Sequence, residues 1–252
     1  MYEHSTADVL FLDGKHEAAA NAYYEMARGG SARAAFNYAY CLFRGIGVKA
    51  DYKKAAEFFS FARNQVGGEA EYNLAVMSMH GQGIARDFKR AIEYMRDSAN
   101  LGCIEAQLYL GMAYTLGAVI EPEIILISLI PYHKAEYAVD PSMLLNGSFD
   151  DMEREEEMRM SVISSDAREA FEWFRLAAHG DTTYAEQLVA RGQFLYAKCY
   201  LDGFGTEYNR ERGAKLMLLA GKSGSQEAIQ YLEANGHITQ FLLDEKKEKR
   251  QK

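Results

Sequence analysis

Between residues 70 and 102 the chain repeats one helical pattern of apolar and small side chains twice. Ala70, Leu74 and Ala75 fall three to five residues apart, so they share one face of a first helix. Ala91, Tyr94, Met95 and Ser98 share one face of a second. Gly81-Gln-Gly83 lies between them, and glycine accepts the positive φ at which helices end. Asp87 stands where a side chain caps the free N–H groups of the second helix. Gly102 ends that helix. One such hairpin cannot bury both of its faces and needs neighbours, so the pattern predicts an array.

The neighbours appear at a fixed step. Gly45, Gly81 and Gly117 recur every 36 residues. Ala19, Ala55 and Ala91, the small residues of second helices, keep the same step, as do Ala34, Ala70 and Ala106 of first helices. Gly203-Phe-Gly205 repeats the turn later in the chain. Three residue series on one period predict an all-α chain of helix-turn-helix units.

Ala106-Gln-Leu-Tyr-Leu-Gly-Met-Ala-Tyr-Thr-Leu-Gly117 and Gly45-Ile-Gly-Val-Lys-Ala-Asp-Tyr-Lys-Lys-Ala-Ala-Glu-Phe-Phe59 resemble the repeat of the Sel-one-like repeat family, a relative of the tetratricopeptide repeat. The resemblance spans most of residues 32–235. It implies a right-handed α/α superhelical solenoid that acts as a scaffold or adaptor for other proteins, with no catalytic site and no cofactor. Gly14-Lys-His-Glu-Ala-Ala-Ala-Asn-Ala-Tyr-Tyr24 looks more like a tetratricopeptide helix and suits a terminal cap. Disulfide-clamped extracellular members of the family carry paired cysteines, and this chain does not.

Taken in order, residues 1–242 are expected to form a single solenoid, with repeats at about 5–31, 32–68, 69–102, 103–117 plus 166–180, and 184–224. A capping helix over 225–235 and a charged, frayed tail over 243–252 complete the chain. The third repeat is interrupted. Its second helix is recognised in Arg168-Glu-Ala-Phe-Glu-Trp-Phe-Arg-Leu-Ala-Ala178, where Ala170 stands 43 residues beyond the place the period assigns. Residues 118–165 are therefore an insertion at a hairpin turn. It opens with a β-branched run between Pro122 and Pro131, continues through the turn signals Asp140-Pro and Asn146-Gly, and ends in an acidic, helical-looking stretch from residue 150. An acidic run of that kind reads as a solvated helix face, with docking of a basic partner as the sharper alternative. Periodicity leaves open whether the apolar run is extended or a short buried helix.

Composition narrows the function. The 252 residues include 21 glycines and only 3 prolines, which suits helices separated by glycine stops rather than a sandwich or barrel. A net charge of −8 argues against a nucleic-acid partner, because phosphate contacts need a basic surface. The longest apolar run, residues 124–130, is too short to span a bilayer. The N-terminal residues lack the basic and apolar regions of a signal peptide. Three cysteines, Cys41, Cys103 and Cys199, form no disulfide framework. These features together predict a reducing, cytoplasmic setting.

Chemistry-bearing motifs are sparse. Gly45-Ile-Gly-Val-Lys-Ala50 fits a dinucleotide loop, but that loop needs a strand before it, and here a helix precedes and the glycine pair recurs. No H-E-x-x-H, C-x-x-C or G-x-S-x-G occurs in the chain. His80 sits at a helix end and reads as a partner of the helix dipole. The candidate partner-binding residues lie on first helices: Phe36, Tyr40 and Phe43; Tyr72, Val76 and Met79; Leu108 and Met112; Phe194 and Lys198. Aromatic and methionine side chains at this spacing suit the core of an interface on a concave face, binding a protein or peptide. Left uncovered they would be a liability, so either the inserted run fills the groove or a partner does. Asn37 and Asn73 occupy equivalent first-helix positions beside this stripe. A second reading makes the insertion a ligand-binding, regulatory or self-association module.

Overall fold

The computed structural model describes residues 5–119 and 162–236, and among them every regular element is an α-helix. The helices are α1 (Thr6–Leu12), α2 (His16–Arg28), α3 (Ala32–Arg44), α4 (Tyr52–Ala62), α5 (Glu69–His80), α6 (Phe88–Asn100), α7 (Ile104–Leu116), α8 (Ala167–Ala178), α9 (Thr182–Asp202), α10 (Arg210–Lys222) and α11 (Gln226–Ala234). Their contacts divide them into two compact units, α1–α6 and α7–α11. Most of the insertion and the charged tail lie outside the described residues.

Four hairpins close in the same way. The backbone N–H of the residue capping the second helix donates to the carbonyl three residues before the turn glycine. In the first unit Asp51 donates to Leu42 and Asp87 to Ser78, both at 3.0 Å. In the second unit Asp166 donates to Tyr114 at 3.0 Å and Asn209 to Tyr200 at 2.9 Å. Each capping side chain also accepts from its own helix: Asp51 from Lys54 N, Asp87 from Arg90 N, Asp166 from Glu169 N and Asn209 from Arg212 N. One residue thus satisfies a free donor of the helix it starts and pins that helix to its partner. The Asp166–Tyr114 bond shows that α7 and α8 form one hairpin although the insertion separates them in sequence.

Two glycines shape three of the four turns, and the third turn carries only the first of them. The first, at Gly45, Gly81, Gly117 and Gly203, ends a helix at φ between 67° and 69°. The second does a different job. A Cβ at Gly47, Gly83 or Gly205 would fall inside the backbone carbonyl of His16, Tyr52 or Ala167, the first residue of the preceding second helix. The second glycine is where one hairpin lies directly on the last. In the third hairpin Val119 stands at that place, and the insertion follows it.

The small residues mark similar close approaches. Ala34, Ala70 and Ala106 on first helices, and Ala19, Ala55, Ala91 and Ala170 on second helices, are all buried. In α9 the corresponding residue is Gly192, whose added Cβ would lie 2.8 Å from the backbone of Ala177 in α8. In α10 it is Gly213, packed beneath Leu201 of α9. Around these contacts the first unit packs Tyr23, Phe36, Leu42, Phe59, Leu74, Met77, Ile92 and Met95, and the second packs Leu110, Tyr196 and Met217. α9 starts early and kinks at Ala185, where φ is −133° and ψ 33°.

Replacing Gly83 with alanine is expected to destabilise the protein by about 3 kcal/mol, since it combines a strained φ with a backbone clash. Gly102→Ala, at φ 98° with nothing within 4 Å, is expected to lose only about 1 kcal/mol. Urea unfolding of the two variants checks this. Equal losses would show that the Gly83 approach carries no weight of its own.

Candidate functional site

The first-helix stripe is placed largely inside the protein. Phe36 and Phe43 face their own hairpin: Phe36 packs edge-on to Phe59 of α4 at 5.2 Å between ring centroids, and Phe43 packs on Tyr52 at 5.0 Å. Tyr40, Tyr72, Val76, Met79 and Leu108 are buried as well. Only Met112, Phe194 and Lys198 keep partial access to solvent. Phe194 meets the ring of Tyr231 in α11 at 6.4 Å. The Lys198 ammonium lies 5.0 Å over that same ring and 2.8 Å from Asp202. Seven of the ten candidates therefore have no surface to offer in this conformation.

The physical reason is geometric. α3, α5 and α9 each have their own second helix on one side and the preceding hairpin's second helix on another. The stripe at i, i+4, i+7 runs along the first of these seams in α3. α5 and α7 are apolar or small around most of their circumference, and a helix of that kind is buried on most sides. In α5 every residue from Ala70 to Met79 is buried.

Polar groups within this core are matched rather than displayed. Asp8 of α1 is buried; its carboxylate accepts from the Tyr23 hydroxyl at 2.7 Å and the Asn37 amide at 3.3 Å. Burial, together with this hydrogen bond, pushes the Tyr23 phenol up. Asn37 thus ties α3 to α1. Glu71 of α5 is also buried and accepts from the Asn64 N–H at 2.8 Å. Arg63 lies 3.6 Å from Glu71, an ion pair without a hydrogen bond, and 3.1 Å from Asp97 of α6. Its guanidinium covers the Tyr94 ring. These groups anchor the α4–α5 loop to α6.

Cys41 and Cys199 each stand four residues before a turn glycine, and both are buried. Burial raises their thiols from 9.0 to about 12. They fill small apolar slots and carry no nucleophile at neutral pH.

One cluster stands apart, and the candidate stripe did not include it. Tyr196 and Tyr200, one turn apart on α9, bring their hydroxyls within 3.2 Å. Phe171 of α8 packs against both rings. The Arg212 guanidinium of α10 lies 4.6 Å from the Tyr200 ring centroid. His179 stands edge-on to Tyr196 at 5.9 Å, and its Nδ1 lies 2.7 Å from the Arg175 carbonyl. A carbonyl only accepts, so that nitrogen carries the proton. The i, i+4 tyrosine pair was visible in the sequence. The arginine meets it only through the α9–α10 hairpin.

Among the described residues no helix is long and apolar enough to cross a membrane, and no group of three or more metal-ligating side chains converges. The Sel1 repeat model matches residues 32–65, 68–103, 104–123, 161–181 and 190–225, more than half of the chain. Among solved structures the chain is similar to a Sel1 repeat protein from Oxalobacter formigenes, with a TM-score of 0.61 at 22% identity over 87% of this chain and 49% of that one. It is also similar to c5321, a protective antigen of uropathogenic Escherichia coli strains displaying an SLR fold, with a TM-score of 0.39 at 20% identity over 87% of this chain and 55% of that one. The chain thus spans about half the length of these solved relatives. No curated protein sequence matches it.

Phe36→Ala is expected to cost about 3–5 kcal/mol, and Met112→Ala under about 2 kcal/mol, in chemical denaturation. A Phe36 variant with near-native stability would return that residue to the surface. Both raised thiols also make stability depend on pH. The unfolded chain loses those protons from about pH 9 and the folded chain only near 12, so their contribution is complete below 9 and falls as pH rises to 12. Unfolding midpoints at pH 8 and 10.5 check this, with a Cys41→Ala/Cys199→Ala variant expected to show the shallower decline.

Proposed function

The chain belongs to the Sel1 repeat family, and on that footing we propose that it is a non-catalytic protein–protein interaction scaffold that binds a peptide or protein segment. Members of this family generally serve as such scaffolds. The observation that carries the reading is the repeat itself. The family's hairpin recurs over more than half of the chain, and stacked hairpins build extended surfaces suited to chain-like partners. The surface assigned to the partner is the accessible part of the first-helix stripe, Met112, Phe194 and Lys198, on the concave side that first helices line in such solenoids. A methionine, an aromatic ring and a cation are the residue types that anchor adaptable interfaces.

The test begins with peptides selected on the immobilised full-length chain and measured by titration calorimetry. The Met112→Glu/Phe194→Ala variant is expected to weaken binding by roughly thirtyfold, the loss of one anchoring contact of about 2 kcal/mol, with its helical circular dichroism kept. Selected peptides that bind the variant as tightly would remove the first-helix face from the proposal. If no sequence is enriched over a blank surface, the scaffold reading itself falls.

A further inference from the structure

The hydrogen-bond count at the tyrosine pair of the second unit does not close. Tyr196 and Tyr200 each own one hydroxyl proton, and their 3.2 Å contact uses one of the two. The other has no acceptor among the described residues. Both side chains are more than nine-tenths buried, at 2% and 6% exposure, and a buried donor without an acceptor is costly. Arg212 adds a second open count. It is exposed, it lies over the Tyr200 ring, and it has no carboxylate partner among the described residues. Glu172, next to Phe171 in sequence, holds Arg175 at 2.7 Å, and Glu211, next to Arg212, pairs with Lys215. The His179 proton is spent on the Arg175 carbonyl.

An unused hydroxyl proton and an unpaired guanidinium meet at one place. Both are donors, so the group that completes them is an acceptor, and the positive charge makes it an anion. We propose that Tyr196, Tyr200 and Arg212 form a receptor on the second unit for one oxyanion, a carboxylate or a phosphate group. Water would satisfy the hydroxyl alone; an oxyanion satisfies the hydroxyl and the guanidinium together. The Tyr196 phenol, pushed by burial up to about 12, stays protonated and able to donate at neutral pH. The electrostatic influence of Arg212 reaches that hydroxyl. The site is distinct from the first-helix surface assigned above, and its case does not depend on that reading.

The test uses the full-length, isotope-labelled chain. Sodium phosphate and sodium acetate are titrated separately at constant ionic strength against sodium chloride, following the Arg212 Nε–H resonance. The control is Arg28, which also lies over a tyrosine ring but is paired with Glu25 at 3.5 Å. Arg212 is expected to shift to saturation in the millimolar range while Arg28 drifts without saturating. Tyr200→Phe is expected to weaken binding by about tenfold, one charge-assisted hydrogen bond. Arg212→Gln, at an exposed position that leaves folding intact, is expected to abolish the saturable shifts of the neighbouring α9 and α10 amides. Saturation by phosphate alone marks a phosphate receptor, and saturation by acetate marks a carboxylate receptor. A linear response at Arg212 with both salts, or a Tyr200→Phe variant that folds and binds as tightly as the parent, overturns the proposal.

Discussion

The fold depends on one backbone hydrogen bond repeated four times, from the residue capping each second helix to the carbonyl three before the turn glycine. It fixes the angle at which two helices leave a turn. That angle decides which faces meet, and hence which positions must be small. Ala34, Ala70, Ala106 and Gly192 are one consequence. Ala55, Ala91, Ala170 and Gly213 are the other. Because the capping side chain and the closing N–H belong to one residue, starting the second helix and docking it are a single event. The α7–α8 pair shows how strong this constraint is. An insertion of dozens of residues separates the partners, and the bond from Asp166 to Tyr114 is still made.

The glycine pairs divide two tasks that sequence inspection merges. The first glycine serves its own helix, by taking a φ that other residues avoid. The second serves the preceding hairpin, by leaving room for a carbonyl. In the third hairpin the place of the second glycine is taken by Val119, at the edge of the insertion. Long insertions at surface turns cost little loop entropy.

Most of the fold was legible in the sequence for a specific reason. Glycine stops, caps and alanine positions are set by backbone geometry, and backbone geometry repeats with the chain. Period 36 therefore revealed the hairpins, the Asp87 cap and the Ala170 helix beyond the insertion. The candidate site was less legible because side-chain exposure is not a property of one helix. Phe36 and Phe43 look like part of a free stripe until α4 is laid along them. Periodicity says that they share a face but not which neighbour that face meets. Asp8 escaped notice for the same reason: nothing in its local sequence announces that Tyr23 and Asn37 will converge on it. The tyrosine pair was on view at i, i+4, but its partner Arg212 lies beyond the turn.

A chain with net charge −8 is a poor long-range attractor of anions. Any anion held beside Arg212 must therefore be recognised at short range, by directed hydrogen bonds from a buried hydroxyl and a stacked guanidinium. Stacking on Tyr200 serves this end, because it fixes a flexible side chain and reduces the entropy lost on binding. The net negative charge of the chain then works as a filter. Diffuse polyanions such as nucleic acid meet repulsion over many phosphates and gain only one contact, whereas a single carboxylate or phosphate on a protein segment meets little repulsion and gains the whole contact. The same balance that argues against nucleic acid for the chain as a whole favours a small, local oxyanion as the ligand of the tyrosine–arginine cluster.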